Sequence, residues 1–300
     1  MRLERKLALA ITGPRSSAAH VTPFRDAAKN VHVVFAEHPS VDVVRVHLAV
    51  RPHCVLLFGG DGTLNRYLDL LLDAQIPVLM VPTGSGNDFA MANGVKNAAD
   101  ALAVFTDWAS GSAATRSADI AEVALHDASG ASQLRHFACC VNIGVDAEAV
   151  YRANRLPNWL KARGGYLIGA LLALVEFRPQ RYVITTGAST TETLWFIAAL
   201  NTPTYGGGLK IAPHASITDQ KLELVLCDAV SRLTLVRYMS RLFSGRVRDI
   251  PFLHFQTVAN FRVEIATPQS VCADGEVLGF TPMQVTFAAR SLPVLVLGED

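Results

Sequence analysis

Apolar and polar residues alternate in two different patterns along the chain. In the first part, short apolar runs at 7–12, 31–36, 54–58 and 76–82 read as buried strands. Helical stretches follow them: from the turn at 13–17 to about residue 29, over 41–50, over 64–72, and over 98–109. Leu64, Leu68, Leu71 and Leu72 carry the helical spacing in the third of these. Strands alternating with helices predict a doubly wound, mostly parallel α/β sheet, whose ligands bind beyond the carboxyl ends of the strands. From Ser117 onward strands dominate, at 119–125, 135–141, 181–186, 193–200, 222–227 and 260–266. Such a succession predicts an antiparallel β-sandwich. Two helices interrupt it, at 159–177 and 232–243, and the last strand, 294–297, is expected to return to the first domain. The expected division is therefore 1–116, completed by 289–300, and a β-rich domain over 117–288.

Composition narrows this picture. Apolar residues make up 50% of the 300 residues and charged residues 18%, which fits a globular chain with two cores. A net charge of +1 with no basic block gives no support to nucleic-acid binding. Five cysteines without a C-x-x-C pair argue against a disulfide framework or a zinc site, and the nine histidines show no H-x-x-x-H spacing. Cys139 and Cys140 would point to opposite faces of a strand. The longest apolar stretch, 164–175, is too short to span a bilayer and ends at Glu176. The charged start shows no signal peptide, so a cytoplasmic protein is the default expectation.

The candidate chemistry centres on Phe58-Gly59-Gly60-Asp61-Gly62-Thr63-Leu64-Asn65. A strand, a glycine turn and a helix start bring bare N–H groups and a positive dipole end to one place, which favours a phosphate. Asp61 beside a phosphate needs a cation between them, pointing to nucleotide with Mg²⁺; otherwise Asp61 is a cap in a tight turn. A second glycine turn, Thr83-Gly84-Ser85-Gly86-Asn87-Asp88, follows the next strand. It too is either part of a nucleotide site or a helix start capped by Ser85 or Asn87. The helix at 159–177 is entered through Trp159, Lys161, Arg163 and Tyr166, which suits a membrane interface or, as the better reading, a core helix with snorkelling ends.

The first turn resembles the Gly-Gly-Asp-Gly-Thr signature of diacylglycerol kinases, sphingosine kinases and NAD kinases, and Leu64-Asn65 leans toward the lipid kinases. The second turn resembles their Gly-Thr-Gly-Asn-Asp motif, with Ser85 for Thr. Three later segments extend the likeness: Gly144-Val145-Asp146-Ala147-Glu148, Gly206 to Pro213, and Asp274-Gly275-Glu276. The chain departs from the family pattern at Gly13, where Asn is usual, at Arg66, where Glu is usual, and at Gln220, where a turn glycine is usual.

The resemblance implies an ATP-dependent lipid kinase of the diacylglycerol kinase catalytic-domain family, acting in phospholipid metabolism. Its active site would lie in the cleft between the two domains. Gly59, Gly60, Asp61, Gly62, Thr63, Asn65, Thr83, Gly84, Ser85, Gly86 and Asn87 would line the nucleotide, and Asp61 would orient Mg²⁺. Glu276, assisted by Asp274, would act at the acceptor hydroxyl, which Asp146 and Lys210 would help to hold; Asp146 is equally readable as an N-cap. ATP and Mg²⁺ are the implied cofactors. The implied partner is a lipid substrate met transiently at a membrane surface, without a transmembrane segment; a homodimer is left open. Two rivals stand beside this reading, a kinase of a soluble hydroxyl acceptor and a binding homologue with impaired turnover.

Overall fold

The computed structural model describes residues 6–27, 30–155, 165–206 and 208–297. Trp159, Lys161 and Arg163, offered above as a membrane-interface signal, lie outside the described residues, as does Gly207. The chain forms two units, Met1–Ile120 with Ala289–Asp300, and Ala121–Ala288.

The first unit is a six-stranded sheet in the order β2-β1-β3-β4-β16-β5. Its strands are β1 (Lys6–Thr12), β2 (Val31–Glu37), β3 (Cys54–Gly59), β4 (Val78–Pro82), β5 (Ala114–Ala118) and β16 (Leu292–Val296). All pair in parallel except β5, which runs antiparallel to β16. β3 is buried along its whole length, as an apolar run covered on both faces must be. The helices are α1 (Ala18–Ala27), α2 (Val41–Ala49), α3 (Asp61–Ala74), α4 (Asp88–Ala92) and α5 (Ala98–Ser110). Ser40 caps α2 through the N–H of Val43, and Asn97 caps α5 through those of Ala99 and Asp100. From β1 the chain first adds β2 on one side, then β3 and β4 on the other. The direction of winding therefore reverses between β1 and β3, where an open α/β sheet leaves a crevice at its strand ends.

The second unit is antiparallel. Its strands are β6 (Ala121–His126), β7 (Ser132–Phe137), β8 (Cys140–Gly144), β9 (Gln180–Thr185), β10 (Ser189–Leu200), β11 (Leu222–Asp228), β12 (Leu253–Val258), β13 (Phe261–Glu264), β14 (Ser270–Ala273) and β15 (Glu276–Phe287). Its helices are α6 (Val145–Arg155), α7 (Gly165–Glu176) and α8 (Arg232–Ser244). The sandwich closes on itself because β10 is long enough to serve two neighbours. Its first half, from Ser189 to Leu194, pairs with β9, and its second half, from Phe196, pairs with β8 and β11 across a register shift. The ring β10-β8-β14-β15-β13-β9 encloses Ile143, Tyr182, Ile197, Phe261, Val271 and Val285. The single strand anticipated over 135–141 is two strands, β7 and β8, broken by a bend at 138–139. Cys139 therefore sits in a bend and does not alternate with Cys140 along one strand.

Candidate active site

Three adjacent strand ends meet in the first unit. The N–H of Gly13, after β1, donates to the carbonyl of Phe58 in β3 at 2.7 Å, and that of Thr83, after β4, donates to Gly59 at 3.1 Å. Ser16 is buried between them; its hydroxyl donates to the Phe58 carbonyl at 3.1 Å and lies 2.6 Å from the Thr83 hydroxyl. The two glycine turns then pack backbone against backbone. A Cβ on Gly60 would stand 2.1 Å from the carbonyl oxygen of Gly86, and one on Gly84 would stand 2.6 Å from the Cα of Gly60. Thr63 fills the space over Gly13 and Gly59, where a Cβ would come within 2.4 and 2.3 Å of its hydroxyl. Most glycines of the motif are thus required by loop-on-loop contact. Gly62 is different: a Cβ there would meet nothing within 4 Å. It lies exposed in the first turn of α3, and its N–H has no hydrogen-bond partner among the described residues.

Asp61 is buried, and its two carboxylate oxygens accept from the N–H groups of Asp88 and Phe89, each at 3.1 Å. It therefore caps α4 from another element. Neither Ser85 nor Asn87 does so, contrary to the sequence-based alternative. Asn87 turns back on its own loop, accepting from the Gly84 N–H and donating to the Gly84 carbonyl, both at 3.1 Å, while Ser85 is exposed. Asn65 lies one turn further along α3 and is half-buried. Among the described residues no group of three or more His, Cys, Asp or Glu side chains is assembled to hold a metal.

The acceptor-side candidates lie in the second unit. Asp274 and Gly275 form a two-residue turn between β14 and β15, flanked by the paired residues Ala273 and Glu276, with φ of 48° and 84°. Positive φ at both positions is the hairpin geometry that favours Asp-Gly. The Asp274 carboxylate is turned into the protein. It accepts from the N–H groups of Ala138 and Cys139, each at 2.8 Å, and of Cys140 at 3.1 Å. Asn201 takes the other side of the same bend, donating to the Ala138 carbonyl at 2.8 Å. These bonds satisfy the backbone groups that the bend at 138–139 removes from the ladder. The Asp274 carboxylate thus fixes the β7–β8 bend and the hairpin that carries Glu276. Glu276 itself is exposed at the start of β15.

Asp146 lies in the first turn of α6, buried, and accepts from the side-chain amide of Asn142. Asn142 faces Cys272 in the β8–β14 register, and the Cys272 thiol lies 3.5 Å from the Ala147 carbonyl. Burial pushes this thiol's pKa up, and the nearby charges of Asp146, Glu276 and Glu148 add to the shift. Asp146 and Glu276 thus share one neighbourhood around Cys272. Asn142 and Cys272 were not singled out as site residues, although Asn142 stands four residues before Asp146. Lys210 is exposed, with its aliphatic stem beside Gly245, and no described contact brings it to these carboxylates.

A parallel α/β unit with glycine turns at its switch point, joined in sequence to a closed antiparallel β unit, is the architecture of a known class of kinases. Over 98% of this chain and 97% of the other, the fold matches a diacylglycerol kinase crystal structure from Bacillus anthracis with a TM-score of 0.68 at 17% identity. It matches yeast NADH kinase complexed with NADH over 98% and 84% of the two chains, with a TM-score of 0.59 at 13% identity. At such identities the likeness is one of fold. Residues 14–123 match the diacylglycerol kinase catalytic domain, and residues 139–296 match the YegS C-terminal NAD kinase beta sandwich-like domain. The second match spans more than half of the chain, which belongs to the family that joins this YegS-type C-terminal domain to a diacylglycerol kinase catalytic domain. The chain is 29% identical over 291 residues, 90% of each chain, to a diacylglycerol kinase of Mycobacterium tuberculosis (strain ATCC 25618 / H37Rv).

Proposed function

We propose that this chain is a lipid kinase that transfers the γ-phosphoryl group of ATP, with Mg²⁺, to a hydroxyl of a lipid such as diacylglycerol. Family membership and the names of the relatives support a lipid-kinase-like phosphotransferase. One observation carries the nucleotide half of the reading. Glycine inside a helix costs up to about 1 kcal/mol relative to alanine. A Cβ at Gly62 would meet nothing within 4 Å. Close approach of a phosphate to the N-terminal N–H groups of α3 gives this glycine a reason.

The roles of the residues follow from their positions. The N–H of Gly62 and the open first turn of α3 would receive phosphate oxygens, with Thr63, Asn65, Thr83 and Ser85 around them. Mg²⁺ bound beside Asp61 would neutralise phosphate charge. Glu276 would take the proton of the attacking hydroxyl as its oxygen forms the new bond to phosphorus and the bond to the ADP leaving group breaks. Asp146, oriented by Asn142, would hydrogen-bond the acceptor, and Asp274 would position the hairpin. Lys210 would contact an anionic group of the lipid. Among the described residues no helix is long and apolar enough to cross a membrane, so the lipid would be met at the membrane surface. The test is phosphotransfer from γ-labelled ATP to diacylglycerol in vesicles and to soluble alcohols. Labelled phospholipid that disappears with Glu276→Gln supports the reading; label only in a soluble acceptor, or none in any acceptor, overturns it.

A further inference from the structure

In the second unit α8 packs Leu235 and Tyr238 into the core around Trp195, and α7 buries Ala173 and packs Leu174 there. The opposite sides of both helices carry uncovered apolar residues. On α8, Leu233 is 79% exposed and Val236 52%; on α7, Val175 is 70% exposed and Leu172 42%. The helices are tied end to end. Arg232, at the start of α8, donates to the carbonyls of Leu174 at 2.7 Å and Phe177 at 3.0 Å at the end of α7. Val175 and Leu233 therefore flank one junction.

Single exposed aliphatic residues are ordinary on any surface. The charge pattern here is not. Residues 229–248 contain five arginines and no Asp or Glu, in a chain whose net charge is +1. Three of the arginines are committed to the protein: Arg232 as above, Arg241 to the Asp249 carbonyl at 2.7 Å, and Arg248 to Glu223 at 2.5 Å. Arg237 and Arg246 are exposed and have no side-chain partner among the described residues. Glu176, the acidic residue at the end of α7, is paired with Arg152 at 2.9 Å. Exposed aliphatic side chains on α7 and α8, with Arg237 next to Val236 and Arg246 just past the end of α8, suit the boundary of an anionic bilayer. A protein partner would more often be anchored by exposed aromatic residues, and Trp195 and Tyr238 are packed inward.

We propose that the α7–α8 face docks on an anionic lipid bilayer. Leu172, Val175, Leu233 and Val236 enter the acyl boundary, and Arg237 and Arg246 meet lipid phosphates. The inference rests on the lipid-kinase reading for its purpose, since it supplies the place where the chain meets its acceptor, but it is tested separately. Flotation is measured with vesicles of phosphatidylcholine alone and of phosphatidylcholine with phosphatidylglycerol in equal parts, for the wild type, Leu233→Gln/Val236→Gln and Arg237→Ala/Arg246→Ala. The wild type should float with the anionic vesicles and much less with the neutral ones. Each double variant should lose about tenfold or more in partitioning, since each arginine near such a surface contributes enough for roughly a fivefold change. Phosphotransfer to a short-chain diglyceride dissolved as monomers should be unchanged in both variants. Variants that float like the wild type, or a wild type that floats with neither vesicle, overturn the docking face. Vesicle binding lost in the variants, with no phosphotransfer to any lipid, would leave the docking face standing and remove the lipid-kinase reading.

Discussion

The nucleotide-side and acceptor-side candidates are built in opposite ways. In the first unit the site is made of backbone: three loops at neighbouring strand ends, knitted by the N–H groups of Gly13 and Thr83 and by the packing of Gly60 on Gly84 and Gly86. In the second it is made of side chains. Asp274 holds a bend 136 residues earlier in the chain, and Asn142, Asp146, Cys272 and Glu276 gather from β8, α6, β14 and β15. A backbone site depends on residues that lack side chains, so most substitutions there damage the loops themselves. A side-chain site separates the two carboxylates: Asp274 holds the bend, and Glu276 is exposed at the start of β15. The comparison teaches which residues are clean probes of function, namely Gly62 in one unit and Glu276 in the other.

The largest expected effect is on turnover. Glu276→Gln should lower kcat by roughly 10²- to 10⁴-fold if this carboxylate takes the acceptor proton. Its unfolding free energy should change by no more than about 0.5 kcal/mol, as for an exposed substitution. Near-normal kcat would move the base to another residue. Asp274→Asn should behave oppositely, losing about 2–4 kcal/mol in urea unfolding, because an amide nitrogen cannot accept from the backbone N–H groups that the carboxylate serves. Unchanged stability would break the division of roles between the two residues.

A matched pair sharpens the first unit in the same way. Gly60→Ala places a methyl group against the Gly86 carbonyl and should cost about 1–3 kcal/mol. Gly62→Ala meets no neighbour and should leave stability equal or raise it by up to about 1 kcal/mol. Equal effects at the two positions would contradict the difference between them. The last effect is a pH dependence, confined to alkaline conditions. Burial raises the thiol pKa of Cys54 in the first unit and of Cys227 and Cys272 in the second. Native thiols then stay protonated where unfolded ones ionise, so the folded state binds more protons and stability falls as pH rises. The contribution is fully present below the ordinary thiol value of 9.0 and declines above it, by up to about 1.4 kcal/mol per pH unit for each thiol. Urea unfolding on either side of that value should show no loss in the acid direction from these groups and a progressive loss in the alkaline one.

Much of the first unit was legible because its strands are short apolar runs and its turns are local. β5 was not, since only Ala118 of that edge strand is buried and the pattern carries little period. The glycines were legible as turns at strand ends but not their division of labour, which depends on contacts between residues 60, 84 and 86. Asp61 was legible as a capping residue, but the helix that it caps, α4, begins 27 residues later. In the second unit the strand broken at 138–139 looked continuous, because the residue that breaks it, Asp274, is remote in sequence. Asn142 and Cys272 were missed for a related reason. Each is unremarkable within its own strand and becomes part of a polar cluster only when β8 pairs with β14.

The central claim is that the open first turn of α3 receives nucleotide phosphate. Calorimetric titration of Mg-ATP into Gly62→Val, compared with the wild type and with thermal unfolding of both, tests it most directly. The account predicts a folded variant, because a Cβ at this exposed position meets nothing within 4 Å, with ATP affinity lowered by about tenfold or more. A folded variant that binds ATP as tightly as the wild type would contradict it.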